Sequence, residues 1–290
     1  MSVRVRAVTR VVAALVVAAA GAARADDPKP PAPTTPPAPA AKPAPAADKD
    51  ADPPLDAAAQ KQHDDQVAFW LKRLRGEKNR EQVRLQIEQM GREPNRAVRD
   101  ALIAFATGNS NQEFVTHAFR ALSSIKGKTV VEFLCGREAL RSRDFLVQVS
   151  AAESLGSMRD GRAVDALVEV ASSSSVKSVA QAACVDALAA CSVPPAPAVS
   201  ELWFRLAEAK ADNVRASALQ AVGLTATDEA VRVLTAHLKS EKNSNCRGAA
   251  ATGLGNTKRK DVVPVLEAAL AADDSLVVRE AIDGALRRLR

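Results

Sequence analysis

The stretch that decides the fold is a repeat whose clearest copies read VRASALQAVG at residues 214–223, CRGAAATGLG at residues 246–255 and VREAIDGAL at residues 278–286. The arginine of this motif recurs every 32 residues, at Arg215, Arg247 and Arg279. A fixed period of this size is typical of proteins built from stacked structural repeats. The back of the chain is therefore predicted to form a repeat stack.

Each repeat unit is predicted to contain two helices. The first helix carries small apolar residues at helical spacing, such as Ala218, Ala221 and Val222, which follow one another at i, i+3 and i+4. The second helix has a Val-x-x-Leu core, as in Val231 and Leu234. Sustained period-2 alternation is absent and the chain has no Tyr, so we expect an all-α protein.

Weaker copies of the motif extend the repeat domain towards the N-terminus. We place it at residues 81–290, with about six helical hairpins and a closing helix from about residue 275 to 289. Residues 55–80 are expected to contribute a capping helix at the front. Gly156, Gly223 and Gly255 each follow the apolar end of a first helix, where we expect them to serve as left-handed C-caps.

This pattern resembles the HEAT-repeat family, and in particular the short alanine-rich HEAT-like repeats of the bilin-lyase type. The resemblance implies a right-handed α-α superhelix, a HEAT-like solenoid with first helices on the convex side and second helices along a concave binding face. One departure is visible, because the motif arginine is replaced in earlier repeats by Gln181, Gln148 and Val115. A ladder built on that arginine would be limited to the C-terminal half.

The front of the chain is predicted to direct export. Residues 1–25 read as a signal peptide, with arginines at 4, 6 and 10, an apolar run over residues 11–21, and small residues that predict cleavage before Asp26. Residues 26–54 are rich in Pro and Ala and read as a disordered linker. We expect a periplasmic or secreted protein with no membrane insertion after cleavage; an uncleaved N-terminal anchor is the alternative.

Charge argues against a nucleic-acid partner. Without the arginines of the signal, at positions 4, 6, 10 and 24, the net charge of +6 falls to +2. Aromatic side chains are few, so stacking platforms for single strands are poorly supplied. Residues 72–99 do hold nine basic and four acidic side chains. We interpret them as a solvated ion-pair surface, with an acidic partner or an anionic envelope polymer as the alternative.

Motifs for catalysis are not found. The four cysteines lack a Cys-x-x-Cys spacing, and Cys184 and Cys246 occupy positions that other repeats fill with small apolar residues. His63 stands beside Asp64 and Asp65, which we interpret as a solvated polar face rather than a metal site. Neither a P-loop nor a Gly-x-Ser-x-Gly elbow occurs. We therefore predict no catalytic, cofactor-binding or metal-binding residues, and no enzymatic activity.

These observations predict an exported, non-catalytic scaffold that binds another protein. The register of the second helices places the following residues on their outward face as candidate partner contacts: Arg162, Asp165, Glu169, Arg232, Thr235, Lys239 and Glu267. A bilin-lyase-like accessory protein, which the resemblance suggests, and a nucleic-acid-binding HEAT-like protein are the alternatives. A purely structural spacer is a third.

Overall fold

Fourteen α-helices make up the part of the chain that the structure, a computed structural model, describes, namely residues 52–93 and 95–290. No strand occurs in these ranges, which confirms the all-α prediction. The predicted signal peptide and nearly all of the predicted linker lie outside the described residues. The helices are α1 (Ala57–Gly76), α2 (Arg80–Arg92), α3 (Arg96–Thr107), α4 (Gln112–Ile125), α5 (Lys128–Leu134), α6 (Phe145–Met158), α7 (Val164–Ser172), α8 (Ser178–Cys191), α9 (Pro197–Leu206), α10 (Asp212–Val222), α11 (Asp228–Ser240), α12 (Ser244–Asn256), α13 (Val263–Ala272) and α14 (Leu276–Leu289).

The helices stack in two layers. In the first layer each even-numbered helix from α2 to α14 packs directly on the next even-numbered helix. In the second layer the helices α3, α5, α7, α9, α11 and α13 each pack on the first-layer helix that follows them. Six helix pairs, from α2–α3 to α12–α13, are therefore preceded by α1 and closed by α14. This is the predicted solenoid of six hairpins.

The glycines of the motif allow the first-layer helices to approach closely, and their expected role as left-handed C-caps was wrong. Gly156 lies inside α6, and Gly223 has an ordinary helical φ of −58°. A Cβ built on Gly156 would lie 3.0 Å from the Cα of Ala187, and one on Gly223 would lie 2.7 Å from the carbonyl carbon of Gly253. The repeat needs glycine there because the facing backbone leaves no room for a side chain.

The residues that end the first helices in left-handed conformation are not glycines. They stand three positions after the motif glycine or its equivalent, and they are Lys126, Arg159, Ala226 and Lys258, with φ between 53° and 62°. Among the described glycines only Gly127 has a positive φ. Arg159 and Ala226 share the left-handed helical geometry, with ψ of 40° and 21°, whereas Lys126 has a ψ of −169° and turns the chain differently.

His63 is packed between helices, contrary to the expectation that it is solvated. Its side chain is 14% exposed, and its Nε2 lies 3.0 Å from Oδ2 of Asp100 on α3. Its Nδ1 lies 3.2 Å from Oδ1 of Asp64. The reason is that α3 packs along α1, which a spacing of 37 residues in the sequence does not reveal. His63 therefore fastens the front helix to the stack.

The four cysteines are all free thiols. Cys184 and Cys246 are fully buried, which fits the prediction that they replace small apolar residues. Burial raises the pKa of the Cys184 thiol to about 12 and that of Cys135 to about 11. Both groups therefore stay protonated at neutral pH, and neither is activated as a nucleophile.

Candidate partner-binding surface

The second layer has open grooves between its helices. Second-layer helices contact their first-layer neighbours far more than they contact one another, because the small residues that bring helices together are concentrated in the first layer. One groove of about 370 Å³ opens between α5 and α7, and another of about 860 Å³ opens between α11 and α13. These grooves give the second layer recessed surface for a ligand.

The larger groove has an apolar floor. Its walls are the last turn of α11 and the length of α13, a helix whose ten residues include a single charged side chain, Glu267. As a result, alanines and a proline face the groove instead of charges. The apolar lining residues are Leu238, Pro264, Val265, Ala268, Ala269 and Ala272.

Lysines provide the unpaired positive charge at the rim of this groove. Lys239 and Lys242 are exposed and form no ion pair with any residue in the described ranges. The acidic neighbours Glu241 and Asp273 are already engaged, since Arg215 Nε lies 3.0 Å from Glu241 and Arg247 Nε lies 2.7 Å from Asp273. The α11 rim can therefore offer positive charge to a ligand, while Asp274 lies exposed on the opposite rim.

The ion pairs beneath the rim keep both carboxylates ionised. The Arg247 guanidinium holds the pKa of Asp273 below its usual range. Burial would raise the pKa of Glu241, but the backbone N–H of Asn243 and the guanidinium of Arg215 outweigh burial and lower it. These charges are neutralised inside the protein and form the fixed wall of the groove.

Two of the three sequence-predicted contacts in and just before α7 fall at the smaller groove, and Glu169 lies outside it. Arg162 and Asp165 line it, and the Nη2 of Arg162 lies 2.7 Å from Oδ2 of Asp160. Glu169 accepts a hydrogen bond from Nη2 of Arg141 at 2.5 Å, and this pairing lowers the pKa of Glu169. All three predicted residues are exposed, so they remain available to a partner.

The other predicted contacts are dispersed over α11 and α13. Lys239 lies at the rim of the larger groove, but Arg232, Thr235 and Glu267 line neither groove. Arg232 is exposed and lies 3.8 Å from Glu229, and Glu267 lies 3.6 Å from Arg290. Thr235 is only partly exposed. The assignment of these residues as partner contacts stays a prediction.

The sequence analysis missed the groove floor. Its signal is the composition of residues 263–272, VPVLEAALAA, whose alanines recur on the side of the helix that faces away from α14 as well as on the packed side. An amphipathic surface helix carries polar residues on its outward face. Residues 263–272 depart from this pattern, because Glu267 is the only charged side chain on the helix.

No group of three or more His, Cys, Asp or Glu side chains is arranged to hold a metal ion within the described residues. None of the described helices is both long and apolar enough to cross a membrane.

Family comparisons match two parts of the repeat domain. A model of HEAT repeats matches residues 200–287, and a model of the PBS lyase HEAT-like repeat matches residues 147–173. Both lie where the motif is sharpest in the sequence. No curated protein matches the chain.

Three solved structures that resemble this chain differ in how much of their own length is matched. The CpcE–CpcF complex of phycocyanin lyase from Nostoc sp. PCC7120 is 18% identical, with 87% of this chain and 100% of that chain covered and a TM-score of 0.48. Human deoxyhypusine hydroxylase in complex with glycerol is 16% identical, with 81% and 99% covered and a TM-score of 0.35. Kap121p bound to Pho4p is 15% identical, with a TM-score of 0.54; 80% of this chain but only 29% of Kap121p is covered. At these identities the likeness concerns the fold alone.

Proposed function

Because this chain belongs to the HEAT-repeat family, with repeats of the bilin-lyase type, we propose that it is an exported, non-catalytic scaffold that binds another protein along its second helix layer. The observation that carries the proposal is the groove between α11 and α13. It combines an apolar floor with two unpaired lysines, and an apolar centre with a polar rim is the usual composition of a protein-binding site.

The fold is suited to this task. A two-layer stack presents successive grooves and helix faces in a row, so an extended partner can contact several repeats at once. Kap121p, a fold relative, is known in a structure with Pho4p bound. The non-catalytic part of the proposal is supported by a sequence without a nucleophile, P-loop or metal-ligand motif.

Partner binding is tested in two steps. Proximity labelling in the native host, with the full chain as bait, identifies the partner, and its affinity for the purified protein is then measured by calorimetry. Changing Arg232→Glu and Lys239→Glu together should weaken binding about tenfold or more, since both side chains are exposed on the proposed face. The thermal midpoint should change little, because Lys239 is exposed and the Arg232 pair with Glu229 is exposed and 3.8 Å long.

A matched control changes Lys258→Glu and Lys260→Glu, which alters net charge equally but lies in the loop between α12 and α13, away from the groove. The groove itself is tested by Ala268→Trp, which fills it from an exposed position. If the control weakens binding as much as Arg232→Glu with Lys239→Glu, or if Ala268→Trp leaves affinity intact, the proposed surface is wrong.

Export is tested separately by fractionating the native host and sequencing the N-terminus of the mature protein. The expected mature chain begins at Asp26 and is recovered outside the cytoplasm. A chain that retains its first residues and stays in the membrane fraction would instead support the uncleaved anchor.

The match to the PBS lyase HEAT-like repeat favours a second candidate, a bilin-lyase-like accessory protein. The groove volume of about 860 Å³ lies within the usual range for small-molecule sites. Mixing the purified protein with a free bilin should then shift the visible absorbance of the pigment. An unchanged spectrum at saturating protein would dismiss this candidate.

A further inference from the structure

The corner between α1 and α2 holds a dense group of cations. These residues, which we term the basic corner, are all exposed and form no ion pair with any part of the chain that the structure describes. The one carboxylate within the stretch, Glu77, accepts the backbone N–H of Asn79 at 2.8 Å. The basic corner consists of Lys72, Arg73, Arg75, Lys78 and Arg80.

Two other arginines of the front half, Arg84 and Arg99, differ from these five because their charges are already matched. Arg84 pairs with Glu81 and Glu88 on its own helix. Arg99 pairs with Asp100 and Asp52 at 2.7 Å and 2.6 Å. The expectation of a solvated ion-pair surface over residues 72–99 therefore fits these arginines but not the basic corner.

Aromatic side chains adjoin the basic corner. Phe69 is 58% exposed, one of the largest apolar exposures in the described chain. The rings of Phe69 and Trp70 form a T-shaped contact with centroids 5.4 Å apart, and the guanidinium of Arg73 lies 5.6 Å from the Trp70 ring centroid. Aromatic rings beside Lys and Arg stems are the composition that proteins place at the interface of a bilayer.

We propose that the basic corner docks on an anionic lipid surface, with its cations at the phosphates and Phe69 in the headgroup region. Among the described residues only α1 lines the surface around Phe69, so this part of the chain forms no two-walled groove for an acidic peptide there. Docking would be peripheral, since no described helix can cross a membrane. Each cation near an anionic bilayer strengthens partitioning about fivefold.

Vesicle co-sedimentation of the full chain tests this proposal. The protein should bind vesicles of phosphatidylcholine containing phosphatidylglycerol, bind pure phosphatidylcholine only weakly, and dissociate as salt is raised. Replacing Lys72, Arg75 and Lys78 by Gln should reduce partitioning about a hundredfold. A matched triple change of Lys210, Lys258 and Lys260 to Gln removes the same net charge from exposed positions outside both grooves and should leave most of the binding.

The placement of Phe69 in the headgroup region is tested with the variant Phe69→Ser and with lipids that carry bromine. Bromine on the upper acyl chain should quench the fluorescence of Trp70, while Trp203, which is fully buried, should be unaffected. Equal losses in the two triple variants, or no binding to anionic vesicles at low salt, would overturn the proposal. So would binding of soluble polyglutamate as tight as that of vesicles and indifferent to Phe69→Ser, because an acidic polypeptide would then be the ligand.

Discussion

Arg247 on α12 forms a two-point ion pair with Asp273, the residue that follows α13. Its Nε lies 2.7 Å from Oδ2 and its Nη2 lies 3.1 Å from Oδ1, while Nη1 donates to the carbonyl oxygens of Glu241 and Lys242. One repeat earlier, Arg215 bonds Glu241 and the carbonyl of Ala209 in the same way. Arg215 and Arg247 therefore each join one loop between repeats to the next.

Replacing Arg247 by Gln should lower the free energy of unfolding by about 2 kcal/mol, because it leaves the largely buried carboxylate of Asp273 without its charged partner. The matched change Arg232→Gln breaks an exposed 3.8 Å pair with Glu229 and should cost less than about 0.5 kcal/mol. Urea unfolding followed by circular dichroism measures both values. Equal losses would show that Arg247 is a surface charge without a structural role.

The ionisation of Asp273 should make the free energy of unfolding depend on pH in the acid range. Its pKa in the folded protein is lowered by Arg247, so the ion pair contributes fully above the unfolded-state pKa of about 3.9. This contribution is lost as the pH falls through the folded-state value. The difference in unfolding free energy between the native protein and Asp273→Asn should be constant above about pH 5 and shrink below about pH 4. A difference that does not change with pH would contradict the assignment.

The period of the motif revealed that these arginines share one position. It did not fully reveal which side chains make the corresponding contacts in the repeats that lack the arginine. Gln181 keeps part of the role, because its Nε2 donates to the carbonyl of Ala171 at 2.7 Å. Further forward, Arg141 stands outside the motif and yet joins the carbonyl of Cys135 to Glu169. Periodicity predicts residues that recur in register, whereas a substitute from another position depends on loop geometry that the sequence does not display.

The helices and their pairing follow from local spacing, which is why the six hairpins could be predicted. The role of Gly223 and the location of His63 could not be predicted, because each depends on a helix that packs against it from more than 25 residues away in the sequence. The α11–α13 groove escaped prediction for the same reason. The sequence of α11 was sufficient to predict that Lys239 faces outward, but it did not predict which residues of α13 lie beside it.

Gly223→Ala should destabilise the protein by about 3 kcal/mol, because the added methyl would collide with the backbone of Gly253, which has no side chain to rotate away. Gly248→Ala is the control on α12. Its Cβ would meet Ala281 at 3.5 Å, an ordinary contact, so the higher helix propensity of alanine should stabilise by up to about 1 kcal/mol. Urea titration of the two variants gives both values. Similar effects from the two changes would refute close approach as the reason for Gly223.

Ala226→Gly should raise the free energy of unfolding, whereas most substitutions by glycine lower it. Ala226 has φ 53° and ψ 21°, with its N–H bonded to the carbonyl of Gly223, and the left-handed conformation costs an L-residue about 1 kcal/mol. Glycine removes that cost but loses more entropy on folding, so we expect a net gain of about 0.5 kcal/mol. Ala236→Gly, at an exposed site inside α11, should instead lose about 1 kcal/mol. Thermal and urea unfolding of the two variants would detect this difference, and a loss of stability in both would show that residue 226 is not strained.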